Sequence, residues 1–171
     1  MNKLSDSKLE IDRLAYFKSI SKLSLAELNN QSHGWSIIQH LYHCWLVESL
    51  AKQYITKKIL YPDTITNVSL LTYFKSFLTP FVWKLGYKAK APKITATFPN
   101  EIDLNKLNLN WIETRKCFDK LTTKLYDLNL EKKGFFRHPI IGRINLKLTL
   151  SFYDFHYNHH KLLIEKIISK I

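Results

Sequence analysis

Glycine and proline, the residues on which most tight turns depend, are scarce in this sequence: there are four Gly and five Pro among 171 residues. Sandwiches and barrels join many short strands through many turns, so they use more of both residues. Long helices need few connections. The shortage of turn residues therefore predicts an all-α fold in which long helices are joined by a few loops.

Apolar residues recur at helical spacing through five segments, and no stretch of useful length alternates as a β-strand does. Ser36 and Gln39 form a capping-box pattern at the start of the second segment, and Asn145 is a plausible N-cap for the fifth. A similar box, Ser24 to Glu27, predicts a short helical turn. The five segments are about 6–22, 36–57, 69–85, 103–127 and 145–171.

This order of segments predicts an antiparallel four-helix bundle with an additional short helix and two longer loops, 88–100 and 134–142. The second segment is apolar almost all round, which is typical of a central helix. The length favours a single domain that spans residues 1–171.

The most apolar window runs from Val68 to Tyr87. It contains Lys75 and Lys84, and Pro80 lies near its middle, so it is a poor candidate for a membrane span. We interpret it as a buried helix that is kinked at Pro80. The alternative is a helix that lies in a membrane interface.

Charge and cysteine content exclude several classes of protein. The formal net charge is +12, but 22 of the 26 basic residues are lysines dispersed along the chain. Nucleic-acid readers depend more on the forked guanidinium of arginine, so we do not expect nucleic-acid binding. Two cysteines cannot form a disulfide framework, and the N-terminus shows no apolar signal region. These features favour a cytoplasmic location.

Histidine is the residue type that composition explains least, with seven in the chain. His156 and His160 are four residues apart, so a helix places both on one face. His43 lies on the second segment, which can face them in a bundle. Three imidazoles without a fourth protein ligand make an open metal site, as catalysis requires. The alternative is three packed or surface histidines without a metal.

Other candidate residues near these histidines remain open. His40 fits a supporting role beside the site or simple packing equally well, and His159 favours packing over metal binding. Asp154 and Glu48 are the nearest acidic residues in sequence that can orient a ligand histidine. Cys44 is more typical of an inert buried thiol than of a nucleophile. We assign no chemistry to the two histidines that lie in predicted loops, His33 and His138.

Two motifs, in this order, resemble the DinB/YfiT-like superfamily of metal-binding four-helix-bundle proteins. The first is Trp35-Ser36 followed after six residues by His43. The second is His138-Pro139-x-x-Gly142 followed by His156-x-x-His159-His160. The stretch 91–99 and Arg115 also look like the family, so the resemblance covers nearly the whole chain.

The resemblance implies that His43, His156 and His160 bind a divalent metal, with Zn or Ni expected and Fe as a further candidate. It also implies a metal-dependent transferase that activates a low-molecular-weight thiol such as bacillithiol or mycothiol. A small-molecule thiol and an electrophilic substrate are then the partners, and a homodimer is one candidate assembly. The alternatives are a metal-dependent hydrolase that uses bound water and a non-catalytic, metal-stabilised bundle protein.

Overall fold

The fold is given by a computed structural model that describes residues 3–32, 34–84 and 91–171. Within these ranges the chain is mostly helical, which confirms the helical fold class. The end predicted for the third segment at residue 85, and the start of the predicted loop 88–100, lie outside the described residues. The helices are α1 Lys8–Ile20, α2 Leu25–Asn29, α3 Ile37–Lys58, α4 Leu70–Lys84, α5 Leu104–Asp127 and α6 Leu146–Ile168.

Side chains that accept backbone N–H groups begin the helices where the sequence indicates. Ser36 Oγ accepts from the N–H of Gln39, whose side-chain oxygen accepts from the N–H of Ser36. Asn145 Oδ1 accepts from the N–H of Leu148. The predicted N-caps of α3 and α6 are thereby confirmed. These two helices carry the candidate ligand histidines.

Short strands correct the expectation that the chain contains no β-structure. They are β1 Thr66–Asn67, β2 Lys133–Gly134, β3 Phe136–His138 and β4 Gly142–Ile144. β1 pairs with β2 and β3 pairs with β4, both antiparallel. The predicted loop 134–142 thus contains most of a hairpin. Strands of two or three residues are too short to show the alternation of apolar and polar residues. The sequence of this hairpin is therefore indistinguishable from that of a loop.

The central helix of the described fold is α3, which packs against α2, α5 and α6. Its side chains Ile37, Leu41 and Ile55 are fully buried, as is Trp111 on the facing side of α5. Burial of apolar surface of this kind is the main favourable contribution to folding. The prediction that the second segment is central is confirmed, while the antiparallel four-helix bundle stays a prediction.

The position of α4 corrects the interpretation of the most apolar window as a buried helix. Phe74, Phe77 and Phe81 are all more than half exposed. The helix continues through Pro80 and lies beside the short strand β4, and Trp83 packs edge-on against Phe155. The short hairpin beside α4 covers less area than a second long helix would. Much of the apolar surface of α4 therefore stays in solvent. No helix in the described ranges combines the length and the hydropathy that crossing a bilayer requires.

A buried network of four charges joins α1, α3 and α5. Arg13 forms two hydrogen bonds with Glu10, and Arg115 bonds to Glu10 at 2.7 Å and to both carboxylate oxygens of Glu48. Trp111 Nε1 donates a further bond of 2.8 Å to Glu48. Burial works against the charge of Arg115, but Glu48 and Glu10 raise its pKa above the ordinary value. The two positive and two negative charges therefore compensate one another inside the protein.

Candidate metal centre

Three histidines far apart in sequence converge at one point between α3 and α6. One ring nitrogen from each of His43, His156 and His160 lies within 4.8 Å of the corresponding nitrogens of the other two. All three residues are buried. The three positions predicted from the sequence are thus brought together, and they form a cluster that can hold a divalent metal ion.

Helix geometry accounts for the convergence. His156 and His160 are separated by one turn of α6, which places both rings on the face that packs against α3. His43 occupies the second turn of α3, shortly after the Ser36 cap. The ring centroid of His43 lies 5.0 Å from that of His156 and 4.8 Å from that of His160.

The backbone of the segment before α5 determines the tautomer of His43. Its Nδ1–H donates to the carbonyl oxygen of Thr95 over 2.8 Å. A carbonyl can only accept, so the ring proton sits on Nδ1 and Nε2 carries a free lone pair. An outer hydrogen bond of this kind is the usual way in which proteins orient a metal-ligating histidine.

The Nε2 atoms of His43 and His156 are 3.1 Å apart. Nε2 of His43 carries no proton, so it can only accept a hydrogen from Nε2 of His156 in this contact. Three imidazole nitrogens bound to tetrahedral Zn²⁺ at about 2.0–2.1 Å lie about 3.3 Å from one another. The distance of 3.1 Å is close to the spacing of two ligands of one ion, and His156 offers the lone pair of its Nε2 when its proton lies on Nδ1.

His40 supports the third ligand. Its Nδ1 lies 2.9 Å from Nδ1 of His160, so one of the two nitrogens donates and the other accepts. When His160 donates from Nδ1, its Nε2 holds the lone pair that a metal requires. The contact resolves the alternatives left open for His40: this residue bonds to a candidate ligand and is not merely packed.

Burial keeps the cluster uncharged near neutral pH. It lowers the pKa of His43, and the bond to Thr95 opposes that effect only in part. For His156 and His160, burial and the neighbouring histidines hold the pKa well below its ordinary value. Burial likewise lowers the pKa of His40 to about 4. Neutral imidazole is the form that binds a metal, so these environments favour metal binding over protonation.

Aromatic rings pack against the histidines of the cluster. The indole of Trp35 lies nearly parallel to the ring of His160, and its centroid is 5.0 Å from that of His43. Phe152 stacks on His156 with centroids 5.2 Å apart. The sequence shows Trp35 as part of the Trp35-Ser36 motif, without indicating which side chains it touches. Its contact with the ligand rings follows from how α3 and α6 pack.

The structure also settles the other candidate residues. Asp154 bonds with Asn158, and Glu48 belongs to the buried ion network, so neither acidic residue contacts a ligand histidine. Thr95 and His40 perform the orienting role instead. His159 packs edge-on against Trp83, as expected for a residue outside the ligand set.

Two predictions concern residues with no direct part in the cluster. Cys44 is fully buried, and burial raises the pKa of its thiol well above the ordinary value, as expected for an inert cysteine. His138 lies at the end of β3, where its Nδ1 accepts hydrogen bonds from two backbone N–H groups. His33 lies outside the described residues.

The donor set fits a divalent transition metal. No fourth His, Cys, Asp or Glu of the described residues joins the three imidazoles, so an ion held there keeps coordination positions for another molecule. Three neutral nitrogen donors suit Zn, Ni and Fe, whereas Mg and Ca prefer oxygen ligands.

No protein-family model matches this chain, and comparisons with curated proteins and with solved structures find no match either. The geometry of the three histidines, together with the residues that orient them, therefore provides the evidence for function.

Proposed function

We propose that this chain is a metal-dependent enzyme that activates a low-molecular-weight thiol and transfers it to an electrophilic substrate. The observation that carries the proposal is the buried, open cluster of His43, His156 and His160. The resemblance of the surrounding motifs to the DinB/YfiT-like superfamily supports the same activity. Zn or Ni is the expected metal, with Fe as a further candidate.

The chemistry of this proposal comes from the ion, and the residues around it hold the ligand rings in the form that binds it. A bound divalent ion supplies positive charge that lowers the pKa of a neighbouring thiol, so that the nucleophilic thiolate exists at neutral pH. His43 offers Nε2 because Thr95 holds its proton on Nδ1. His160 offers Nε2 when its Nδ1–H donates to His40. Trp35 stacks on His160 and Phe152 stacks on His156, so both aromatic rings pack against the ligand rings.

The first test is the metal content of the purified protein, measured by elemental analysis after passage over a chelating resin and reloading. We expect close to one divalent ion per chain. The double variant His156→Ala/His160→Ala should lose it. The matched control is His159→Ala, which removes a histidine from the same helix outside the cluster and should retain the ion. Full metal content in the double variant would rule out the site.

The second test separates catalysis from a purely stabilising metal. The metal-loaded protein is incubated with bacillithiol, mycothiol or glutathione and a panel of electrophiles, and loss of free thiol is followed over time. The proposal expects consumption that disappears in the double variant. If no thiol is consumed although the metal binds and stabilises the protein, thiol transfer is ruled out, and the hydrolase and the non-catalytic, metal-stabilised protein are the alternatives that stay.

A further inference from the structure

A cleft beside the metal centre is formed by α4, the β3–β4 hairpin and α6. Its volume is about 270 Å³, close to the lower end of the range of about 300–1,000 Å³ for small-molecule sites. Most of its wall consists of aromatic and aliphatic side chains. They are Tyr73, Phe77, Pro80, Trp83, Ile140, Ile141, Leu148, Phe152 and Phe155.

The cleft and the metal centre share one wall. Phe152 lines the cleft and also stacks on His156 of the metal centre. The ring of His138, which lines the cleft too, packs edge-on against Phe152 with centroids 4.5 Å apart. A molecule in the cleft is therefore separated from a ligand ring by a single phenylalanine.

The hairpin turn fixes the tautomer of His138. Its Nδ1 accepts from the backbone N–H groups of Ile140 and Ile141, both at 3.2 Å. A nitrogen that accepts carries no proton, and burial lowers the pKa of this histidine to about 4, so the ring is neutral near pH 7. The remaining proton lies on Nε2, and none of the described residues accepts it.

Ser76 supplies a second polar group without a partner. Its hydroxyl oxygen is buried and has no hydrogen-bond partner among the described residues, and the residue lines the same cleft. A buried polar group that lacks a partner destabilises the protein, because it has lost its hydrogen bonds to water. A bound molecule that pairs with such groups removes this penalty, so they indicate where its polar part sits.

The described lining contains no carboxylate, lysine or arginine. An ionised ligand would lose its hydration without gaining a partner of opposite charge, which disfavours it strongly. Apolar walls together with a neutral N–H donor and a hydroxyl instead match an uncharged molecule that carries a hydrogen-bond acceptor.

We propose that this cleft binds a small, uncharged, largely apolar molecule and that His138 Nε2–H and the Ser76 hydroxyl hold its acceptor group. Its role as the electrophilic substrate rests on the proposed function, because only then does its position beside His156 matter for chemistry. The binding itself is a property of the cleft and does not require the metal.

Three probes of similar size test the chemistry of recognition. Acetophenone has a ring and a neutral acceptor, ethylbenzene has the ring without the acceptor, and benzoate has a charged one. Each is titrated into the full chain, with and without one equivalent of Zn²⁺, and dissociation constants are taken from NMR shift changes. Acetophenone should bind about 3- to 10-fold more tightly than ethylbenzene, because one hydrogen bond between neutral groups increases affinity by about this factor. Benzoate should bind more weakly than acetophenone.

Variants of His138 distinguish the two roles of its ring, which are to donate a hydrogen bond from Nε2–H and to accept the hydrogen bonds of the hairpin turn at Nδ1. The oxygen of Asn matches the position of Nδ1, so His138→Asn keeps the acceptor for the hairpin and loses the donor at Nε2. It should bind acetophenone more weakly than the unchanged protein does, so that its preference for acetophenone over ethylbenzene becomes smaller. The amide of Gln matches the position of Nε2, so His138→Gln should keep the preference for acetophenone. Should the Asn variant fail to fold, Ser76→Ala and the three-probe comparison on the unchanged protein still decide the question.

The exposed residue Ser151 allows the cleft to be filled without disturbing the core. Ser151→Trp should reduce the binding of acetophenone at least tenfold. Equal binding of acetophenone and ethylbenzene, preference for benzoate, or insensitivity to Ser151→Trp would overturn the proposal. The probe affinities do not depend on whether Zn²⁺ is bound. The titrations can therefore refute binding in the cleft without refuting the metal site, and the metal content can refute the metal site without refuting binding in the cleft.

Discussion

The Nδ1–H of His43 donates to the carbonyl oxygen of Thr95, 2.8 Å away, although 52 residues separate the two along the chain. The bond aims the other nitrogen of the ring at His156 and His160. An orienting group that belongs to the backbone is not lost when its side chain changes. The geometry of the first ligand therefore depends on the path of the segment before α5 and not on which residue occupies it.

Metal binding should stabilise the folded chain, because the three nitrogens meet only in the folded state. With free Zn²⁺ at 100 times the dissociation constant, the free energy of unfolding should rise by about 2.7 kcal/mol. In a protein of this size that gain raises Tm by about 5–11 °C. Thermal unfolding monitored by circular dichroism measures the shift. Ca²⁺, which prefers oxygen ligands, should produce none; an equal shift with Ca²⁺ would contradict a nitrogen site.

Loss of the partner of His160 should weaken metal binding without removing a ligand. His40→Leu should lower the Zn²⁺ affinity by about 10- to 100-fold, the usual effect of removing an orienting hydrogen bond. His40→Asn should recover part of that loss, since its side-chain oxygen can accept from His160 Nδ1–H. Competition against a chromophoric chelator measures both affinities. Equal affinity of the Leu variant and the unchanged protein would show that the contact has no orienting role.

Acid should destabilise the metal-free protein through its buried histidines, and His138 allows one contribution to be isolated. Its pKa is about 4 in the folded state and near 6.5 when unfolded, so the unfolded chain binds the proton first as the pH falls. Stability is then lost between about pH 6.5 and 4. Between pH 7 and 5 the loss from this group is about 2 kcal/mol. Urea unfolding at both pH values should show a smaller loss in His138→Asn, and an identical loss would refute the assignment.

Removal of one charge from the buried network should be far more damaging than removal of a surface charge. Arg115→Met leaves the carboxylates of Glu10 and Glu48 without their shared partner and should cost about 3–5 kcal/mol. The matched control is Lys116→Met, which removes an exposed positive charge from the next position and should change stability by less than about 0.5 kcal/mol. Urea unfolding of both variants gives the comparison. Similar losses would mean that the network contributes little.

Local features made much of the fold and the meeting of the three histidines predictable. The pairing of Ser36 with Gln39 marks the start of α3 because a cap and its box lie within four residues of sequence. The spacing of His156 and His160 places them on one face because helix geometry is regular. His43 could be added because the second segment can face the fifth in a bundle, and because it follows Trp35-Ser36 as in the superfamily that the motifs resemble.

Features that depend on tertiary packing could not be predicted in the same way. Nothing in a loop sequence indicates that the carbonyl of Thr95 meets a histidine of α3. The exposure of α4 was also missed, since apolar content alone does not reveal whether a neighbouring element is large enough to cover a helix. The sequence predicts no role for His138, because the free Nε2–H donor follows only from the hydrogen bonds that the hairpin backbone donates to Nδ1.

The balance of the four buried charges also constrains how this protein can change. Glu10, Arg13, Glu48 and Arg115 sum to zero, so a single neutralising substitution leaves a net charge in the interior. Only coordinated replacement of opposite charges, or of all four by apolar residues, avoids that cost. If the four charged residues are replaced one at a time, by engineering or in evolution, the intermediate variants are therefore less stable. Simultaneous substitution of two opposite charges avoids this loss.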